Sequence, residues 1–160
     1  MKRIYELNKG KNISIKGEEA ANSLKYFKNL LNLWGIPLPE TDPLVLDFGL
    51  HDFCRTGLIE SWICNEKKAG YCAKYLFVIK GQSCPVHKHK NKHETFFVLK
   101  GSVKMQYNGK NIIMREGDVL PVPEGIKHGF TGNTDCLLLE ISKPCVIRDN
   151  YFEDKRIKIN

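Results

Sequence analysis

The sequence predicts an all-β fold, a sandwich or barrel of short strands preceded by a helical N-terminal arm. The first observation is a series of short apolar segments separated by turns, which runs from residue 44 to residue 141. The second is a single segment of helical periodicity, which precedes those strands. The third is the length of 160 residues with 42% hydrophobic residues, which fits one globular domain with its own core.

The N-terminal part, residues 1–43, is expected to form an arm and a helix. Apolar side chains recur at helical spacing across residues 18–34, with polar side chains on the other face. Gly35 and Pro37 should end this helix, because glycine readily adopts the left-handed conformation and proline cannot continue a helix. The apolar face consists of Leu24, Phe27, Leu31 and Trp34.

Residues 44–160 are expected to form the barrel domain. Asn108 and Gly109 predict a tight hairpin turn, because both tolerate positive φ. Gly101 and Gly117 mark the ends of the flanking strands. The predicted strands cover residues 44–48, 58–64, 72–79, 94–99, 103–107, 112–114, 119–121, 127–130 and 136–141.

The net charge of +7 comes mostly from lysines that are spread along the whole chain, and only five residues are arginines. This distribution is typical of a solvated basic surface, so no nucleic-acid partner is expected. No segment is long and apolar enough to cross a membrane, and the residues after Met1 lack a signal-peptide core. A cytoplasmic location is therefore expected. The six cysteines include no Cys-x-x-Cys pair, so Cys64, Cys72 and Cys136 are expected to be reduced core residues.

Three histidines and one glutamate in two short segments, 81–101 and 117–128, form a candidate metal site. His87 and His89 are two residues apart, so on a strand both imidazoles would point into one cavity. Glu94 follows a short bend and can reach the same cavity from a neighbouring strand. Imidazole and carboxylate ligands without cysteine suit Mn²⁺, Fe²⁺, Zn²⁺, Co²⁺ or Ni²⁺ in an open, catalytic site. The expected ligands are His87, His89, Glu94 and His128, whereas His93 should face away.

These two segments resemble the motifs of the cupin superfamily. In the first, Gly81 is followed by five residues, His87-x-His89, four residues, Glu94, six residues and Gly101. In the second, Gly117 is followed by five residues, Pro-x-Gly, two residues and His128, with Asn133 one position later than in the family. The resemblance implies a jelly-roll barrel with a metal ion in its lumen.

A narrower resemblance links most of residues 44–157 to the D-lyxose isomerases, which interconvert an aldose and a ketose, typically with Mn²⁺. By position, Lys74, Glu140 and Arg156 match active-site residues of that family. The resemblance implies an enediol mechanism in which Glu140 is the base, Lys74 orients or protonates a substrate oxygen, and Arg156 closes the pocket. The segments that carry it are residues 46–53, 55–58, 71–74, 81–85, 94–96 and 152–157.

Alternatives remain open for these residues and for the function. Lys74 can also be a surface lysine, Arg156 part of a surface ion pair, and Glu140 a hydrogen-bond partner of a ligand histidine. The chain also lacks the longer segments that those isomerases carry within and between the motifs. Another metal-dependent cupin enzyme, such as an iron dioxygenase or a lyase, or a non-catalytic cupin that binds a metal and a ligand, would carry the same motifs. The expected substrate is a sugar. The expected assembly is a homodimer, formed by sheet pairing or by exchange of an N-terminal arm that covers a barrel edge.

Overall fold

The computed structural model describes residues 11–159 as two facing antiparallel sheets with one helix outside the larger sheet. This is the predicted all-β jelly roll with a helical arm. In spatial order, the larger sheet contains β1 (Leu44–Leu46), β2 (Leu58–Glu66), β3 (Tyr71–Val78), β10 (Cys136–Ser142), β5 (Glu94–Lys100) and β8 (Val119–Val122). The smaller sheet contains β11 (Tyr151–Phe152), β4 (Ser83–Lys88), β9 (His128–Gly132), β6 (Ser102–Tyr107) and β7 (Lys110–Arg115).

The helix α1 (Glu18–Trp34) has the predicted bounds. It ends in Gly35 at φ 67°, where the N–H groups of Gly35 and Ile36 donate to carbonyls of the last turn, a common way to satisfy a helix C-terminus. Phe27 and Leu31 are fully buried against the outer face of the larger sheet, which contributes Phe77 among other apolar residues. The helix therefore covers one face of that sheet rather than the barrel mouth.

The residues before the helix lie along the edge of the larger sheet. The N–H of Ile15 donates to the carbonyl of Val45 at 2.9 Å, and the N–H of Asp47 donates to the carbonyl of Ile13 at 2.9 Å. The arm thus covers the β1 edge of its own chain. Residues 1–10 of the predicted arm lie outside the described residues, and the division at residue 43 stays a prediction. Within residues 11–159, no helix has the length and apolar character needed to cross a membrane.

Cross-strand register divides the lumen into layers. Leu138 of β10 lies between Leu76 and Val98, and all three belong to the apolar core between the sheets. Two residues further along β10, Glu140 lies opposite Lys74 on one side and Phe96 on the other. Because side chains two apart on a strand face the same way, the lumen changes from apolar to charged within a few residues.

Two strands fall outside the predicted strand ranges, and one burial expectation is wrong. Strand β4 contains Pro85 and lacks an apolar run, and β11 has only two residues, so neither carries a strong strand signal. Cys72 and Cys136 are buried as expected, but Cys64 is only half-buried. A bulge between Trp62 and Cys64 shifts the alternation of β2, which brings Cys64 away from the core.

Candidate metal centre

The four predicted ligands meet in one cluster inside the barrel. His87 lies in β4 opposite His128, the first residue of β9, while Glu94 begins β5 in the other sheet and His89 follows the end of β4. Their nearest ligand atoms all lie within 4.8 Å of one another, and all four side chains are buried. The jelly roll thus places ligands from both sheets around one point. Outside this cluster, His93 is half-buried, and its backbone carbonyl accepts a hydrogen bond from Lys143.

Backbone carbonyls orient all three imidazoles of the cluster. Nδ1 lies 2.8 Å from the Pro85 carbonyl in His87, 2.8 Å from the Asp149 carbonyl in His89, and 3.1 Å from a backbone carbonyl in His128. A carbonyl oxygen can only accept a hydrogen bond, so each Nδ1 carries a proton. In a neutral ring this leaves the lone pair on Nε2, the nitrogen that binds metals in many proteins.

The buried acceptors of this cluster fit a cation. Nε2 of His128 lies 2.8 Å from Oε2 of Glu94, and Nε2 of His89 lies 3.3 Å from Oε1. Because the protons are on Nδ1, each of these contacts joins an imidazole acceptor to a carboxylate acceptor, with no hydrogen between them. Nε2 of His89, Nε2 of His128 and Oε2 of Glu94 are all buried without a hydrogen-bond partner. Leaving such groups unpaired is costly, whereas a divalent metal would satisfy all of them at once. The donor set therefore fits a transition-metal ion.

The electrostatic environment keeps the ligands in the forms that bind metals. Burial lowers the pKa of His87 well below its usual range, and the neighbouring His128 and His89 lower it further, so the ring is neutral. Burial opposes ionisation of Glu94, but the ammonium of Lys92 and the neighbouring His128 and His89 together outweigh it, so the pKa of that carboxyl lies well below its usual range. A neutral imidazole and an ionised carboxylate are the metal-binding states.

A line of buried charges extends from the cluster across the larger sheet. Nζ of Lys92 lies 2.6 Å from Oε1 of Glu94 and 2.6 Å from Oε1 of Glu140. Nζ of Lys74 lies 3.4 Å from Oε2 of Glu140 and 2.9 Å from Oε2 of Glu60. Burial lowers the pKa of both lysines, but the adjacent carboxylates outweigh it, so each pKa is raised and both ammoniums are charged. The order of charges is Glu60, Lys74, Glu140, Lys92, Glu94.

Two of the three predicted catalytic residues thus belong to the line of charges that leads to the predicted metal ligands. Lys74 is buried, which excludes the alternative of a surface lysine. Glu140 is also buried, and Oε1 accepts hydrogen bonds from Lys92 and from the Ser142 hydroxyl. Its contacts are therefore with lysine and serine side chains, in contrast to the alternative of a carboxylate that binds a ligand histidine.

The structure does not bring Arg156 to this cluster. Its side chain is exposed and forms an ion pair with Asp154 at 2.6 Å, which corresponds to the alternative considered for this residue. The C-terminal tail reaches the cluster through Phe152 instead, whose ring lies 5.2 Å from that of His87. The catalytic role of Arg156 stays a prediction.

Sequence patterns did not reveal Lys92, Glu60 or Asp149. Lys92 stands in a segment with Lys88 and Lys90, where nothing distinguishes a buried lysine from exposed ones. Glu60 carries a usable signal, because it is a lone carboxylate within an apolar strand, like Glu140. Asp149 lies sixty residues from His89 along the chain, so only the folded structure joins them.

Comparison with known proteins shows which family these features resemble. Residues 75–142, which include all four residues of the metal cluster, match the family described as Cupin domain. This stretch of the chain is therefore similar to a cupin domain. Because this match begins at residue 75 and ends at residue 142, it includes neither the N-terminal helix nor the C-terminal tail.

Two curated relatives match this chain beyond the cupin-like stretch. A D-lyxose/D-mannose isomerase from Thermosediminibacter oceani is 27% identical over 98% of this chain and 90% of its own length. A D-lyxose ketol-isomerase from Thermofilum sp. is 27% identical over 71% of this chain and 78% of its own length. The first alignment spans 184 positions and is longer than this chain, so the relative has residues that this chain lacks.

A solved structure extends the likeness in fold. The L-ribose isomerase from Acinetobacter sp. DL28 superposes with a TM-score of 0.76 at 14% identity, over 91% of this chain and 95% of that one. At this identity the match concerns the fold alone. It covers more of this chain than residues 75–142, the stretch that matches a cupin domain.

Proposed function

We propose that this cupin protein is a metal-dependent sugar isomerase that interconverts an aldose and a ketose through an enediol. The names of two relatives, D-lyxose/D-mannose isomerase and D-lyxose ketol-isomerase, support this class of enzyme, and so does the name of the L-ribose isomerase with the same fold. The observation that carries the proposal is a buried carboxylate, Glu140, that reaches the metal cluster through a single lysine.

The proposed metal ligands are His87, His89, Glu94 and His128, and Mn²⁺ is the proposed ion, with Fe²⁺, Zn²⁺, Co²⁺ and Ni²⁺ as alternatives. A divalent metal in this position would polarise the carbonyl and hydroxyl oxygens of a sugar and stabilise negative charge on them.

Charge balance in the cluster agrees with this chemistry. The line of ion pairs beside the cluster joins three carboxylates, Glu60, Glu94 and Glu140, to two ammoniums, Lys74 and Lys92. Together they carry one net negative charge, which a divalent ion would convert to one net positive charge. A site of that sign favours an enediol as it develops negative charge during proton transfer.

Glu140 is the proposed base. Oε1 already accepts two hydrogen bonds, from Lys92 and Ser142, whereas Oε2 has only the longer contact of 3.4 Å with Lys74. Each carboxylate oxygen has two lone pairs, so Oε2 retains one that can take the proton from one sugar carbon and return it to the next. Metal ligation by Glu94 and proton transfer by Glu140 would thus be separate tasks of neighbouring carboxylates.

Lys74 is proposed to orient a substrate oxygen. Its ammonium has three N–H donors, and the carboxylates of Glu60 and Glu140 account for two of them. The third can donate to a sugar oxygen beside Oε2 of Glu140. Such a donor would stabilise negative charge on that oxygen while the proton moves.

The experiment is an oxygen-free assay of the Mn²⁺-loaded protein with free and phosphorylated aldoses and ketoses, including D-lyxose, D-mannose and L-ribose. Product chromatography would identify any isomer formed. The chelated protein and the His128→Ala variant are the controls, and both should be inactive. Turnover without oxygen in the loaded protein alone supports the proposal. Stoichiometric metal without turnover on any sugar would contradict it and would favour an oxygenase, a lyase or a non-catalytic cupin.

A further inference from the structure

The feature that the proposed function leaves unexplained is the buried ammonium of Lys92. The residue is only 4% exposed, although lysine is rarely buried. Its Nζ contacts Oε1 of Glu94 and Oε1 of Glu140 at the same distance, 2.6 Å. Lys92 therefore stands between the carboxylate among the metal ligands and the carboxylate proposed as the base.

This arrangement has a consequence for metal coordination. Two carboxylate oxygens that bind one nitrogen are close enough for both carboxylates to be drawn to a divalent cation beside Glu94. Carboxylates bind Mn²⁺ and similar ions readily, so Glu140 would be a natural fifth ligand. A carboxylate held on a metal would have fewer lone pairs for proton transfer. An isomerase of this design needs something that keeps Glu140 apart from the ion.

We propose that Lys92 is a positioning residue that keeps Glu140 out of the metal's ligand set. Its positive charge binds Oε1 of Glu140 and repels a divalent ion from that side of the carboxylate. It also occupies Oε1 of Glu94, which leaves Oε2, the oxygen nearest His128, for the metal. This inference rests on the proposed metal site and on the proposed role of Glu140.

Removing the positive charge of Lys92 should change metal affinity in a way that distinguishes this role from a structural one. Lys92→Met keeps most of the side-chain length but leaves two neighbouring carboxylates without their shared cation. A metal ion would then recruit both, so metal affinity should rise while turnover falls. A lysine that merely supported the fold would give a different result, because its loss would weaken metal binding and turnover together.

The experiment measures Co²⁺ binding by titration and records the visible ligand-field bands of the bound ion, which respond to the number and kind of ligands. Lys92→Met should bind Co²⁺ roughly tenfold more tightly, within the range of coupling energies between contacting residues, and should show altered bands. The double variant Lys92→Met/Glu140→Gln should return to the affinity and the bands of the original protein. The control is Lys90→Met, the same change in the same loop at an exposed lysine that contacts the Tyr151 ring, and it should change neither quantity.

Unchanged or weaker Co²⁺ binding in a folded Lys92→Met protein would overturn the inference, and so would a double variant that stays as tight as the single one. If Lys92→Met does not fold, Glu140→Gln alone decides the question. Its Co²⁺ bands should match those of the original protein, and a change would show that Glu140 is a ligand. Failure of the original protein to bind a metal would remove the proposed function as well, whereas metal binding and turnover with unchanged Lys92→Met affinity would remove only this inference.

Discussion

The imidazoles of the metal cluster are oriented by hydrogen bonds, most of which are to residues nearby in the chain. The imidazoles of His87 and His128 each bind a carbonyl two residues earlier, so the strand itself sets the ring orientation. His89 depends instead on Asp149, whose carboxylate also accepts the N–H groups of Lys90 and Asn91. Asp149 therefore holds the loop between β4 and β5, and this loop determines where Glu94 enters the cluster.

Glu140→Gln tests the proposed base at the residue scale. The amide keeps the shape of the side chain but cannot accept the substrate proton, so turnover should fall by roughly a hundredfold or more while metal stays bound. Sugar turnover and metal content per chain are the measurements. Glu116→Gln is the matched control, because that carboxylate is exposed beside Lys100, at the opposite end of β5 from Glu94, and its replacement should leave both values unchanged. Full activity in Glu140→Gln would remove Glu140 from the mechanism.

The buried thiols give a prediction that depends on pH. Burial raises the pKa of Cys72 to about 12 and that of Cys136 to about 12, whereas Cys54 is exposed. A thiol reacts as its thiolate, and four pH units below the pKa only about one molecule in ten thousand is ionised. At pH 8 the native protein should therefore react rapidly with a disulfide reagent at Cys54, and at Cys72 and Cys136 only after unfolding.

Peptide mass spectrometry identifies the modified thiols, and Cys54→Ser should remove the rapid phase. Fast modification of Cys72 or Cys136 in the folded Cys54→Ser protein would contradict the burial of these residues.

At the scale of elements, the accuracy of the predictions follows the strength of the local signal. Helix α1 has the predicted bounds because an apolar stripe, a glycine and a proline all mark it in the chain. Strand β4 has no comparable pattern, although His87 within it and His89 just after it revealed the candidate site. The bulge at Cys64 depends on pairing with β3, and burial of Lys92 depends on carboxylates from two other strands. Such features arise only from contacts distant in sequence, so the motif residues were predictable and the burial of Lys92 was not.

The packing of α1 on the larger sheet gives a prediction for stability. Phe27 is fully buried, and its ring centroid lies 5.0 Å from that of Phe77. Phe27→Ala should lower the free energy of unfolding by about 3–5 kcal/mol, because it removes buried apolar contacts and leaves a cavity. Leu33→Ala on the same helix is the control, since Leu33 is 79% exposed and its loss should cost less than about 0.5 kcal/mol.

Urea denaturation measures both helix variants. Equal losses would contradict the observed face of α1. The Co²⁺ bands of folded Phe27→Ala should be unchanged, because the helix lies outside the sheet and the ligands lie inside the barrel.

For the whole molecule, association remains a prediction. The described part of the arm already pairs with β1 of its own chain, so a homodimer by sheet pairing requires no exchange of residues 13–15. Light scattering at micromolar concentration should give twice the chain mass of 18.4 kDa. A monomer across that range would end the dimer prediction, while the proposed metal site, whose four candidate ligands all come from one chain, would be unaffected.

The metal cluster also links binding to the stability of the whole molecule. Its four ligands come from segments that only the folded barrel brings together, so an ion that binds there favours the native state over the unfolded chain. At a free concentration one hundred times its dissociation constant, such an ion stabilises a protein by about 2.7 kcal/mol. For a domain of this size, that corresponds to a rise in melting temperature of roughly 5–10 °C.

Thermal melts of the chelated protein with and without added ions test this linkage. Mn²⁺ or Co²⁺ should raise the melting temperature, whereas Ca²⁺, which prefers sites built entirely of oxygen, should have little effect on a cluster with three imidazoles. His128→Ala is the control, because it removes one ligand and should abolish most of the rise. An equal rise in His128→Ala would locate the ion elsewhere. Since the melt requires no substrate, it tests the metal centre even if the sugar is never found.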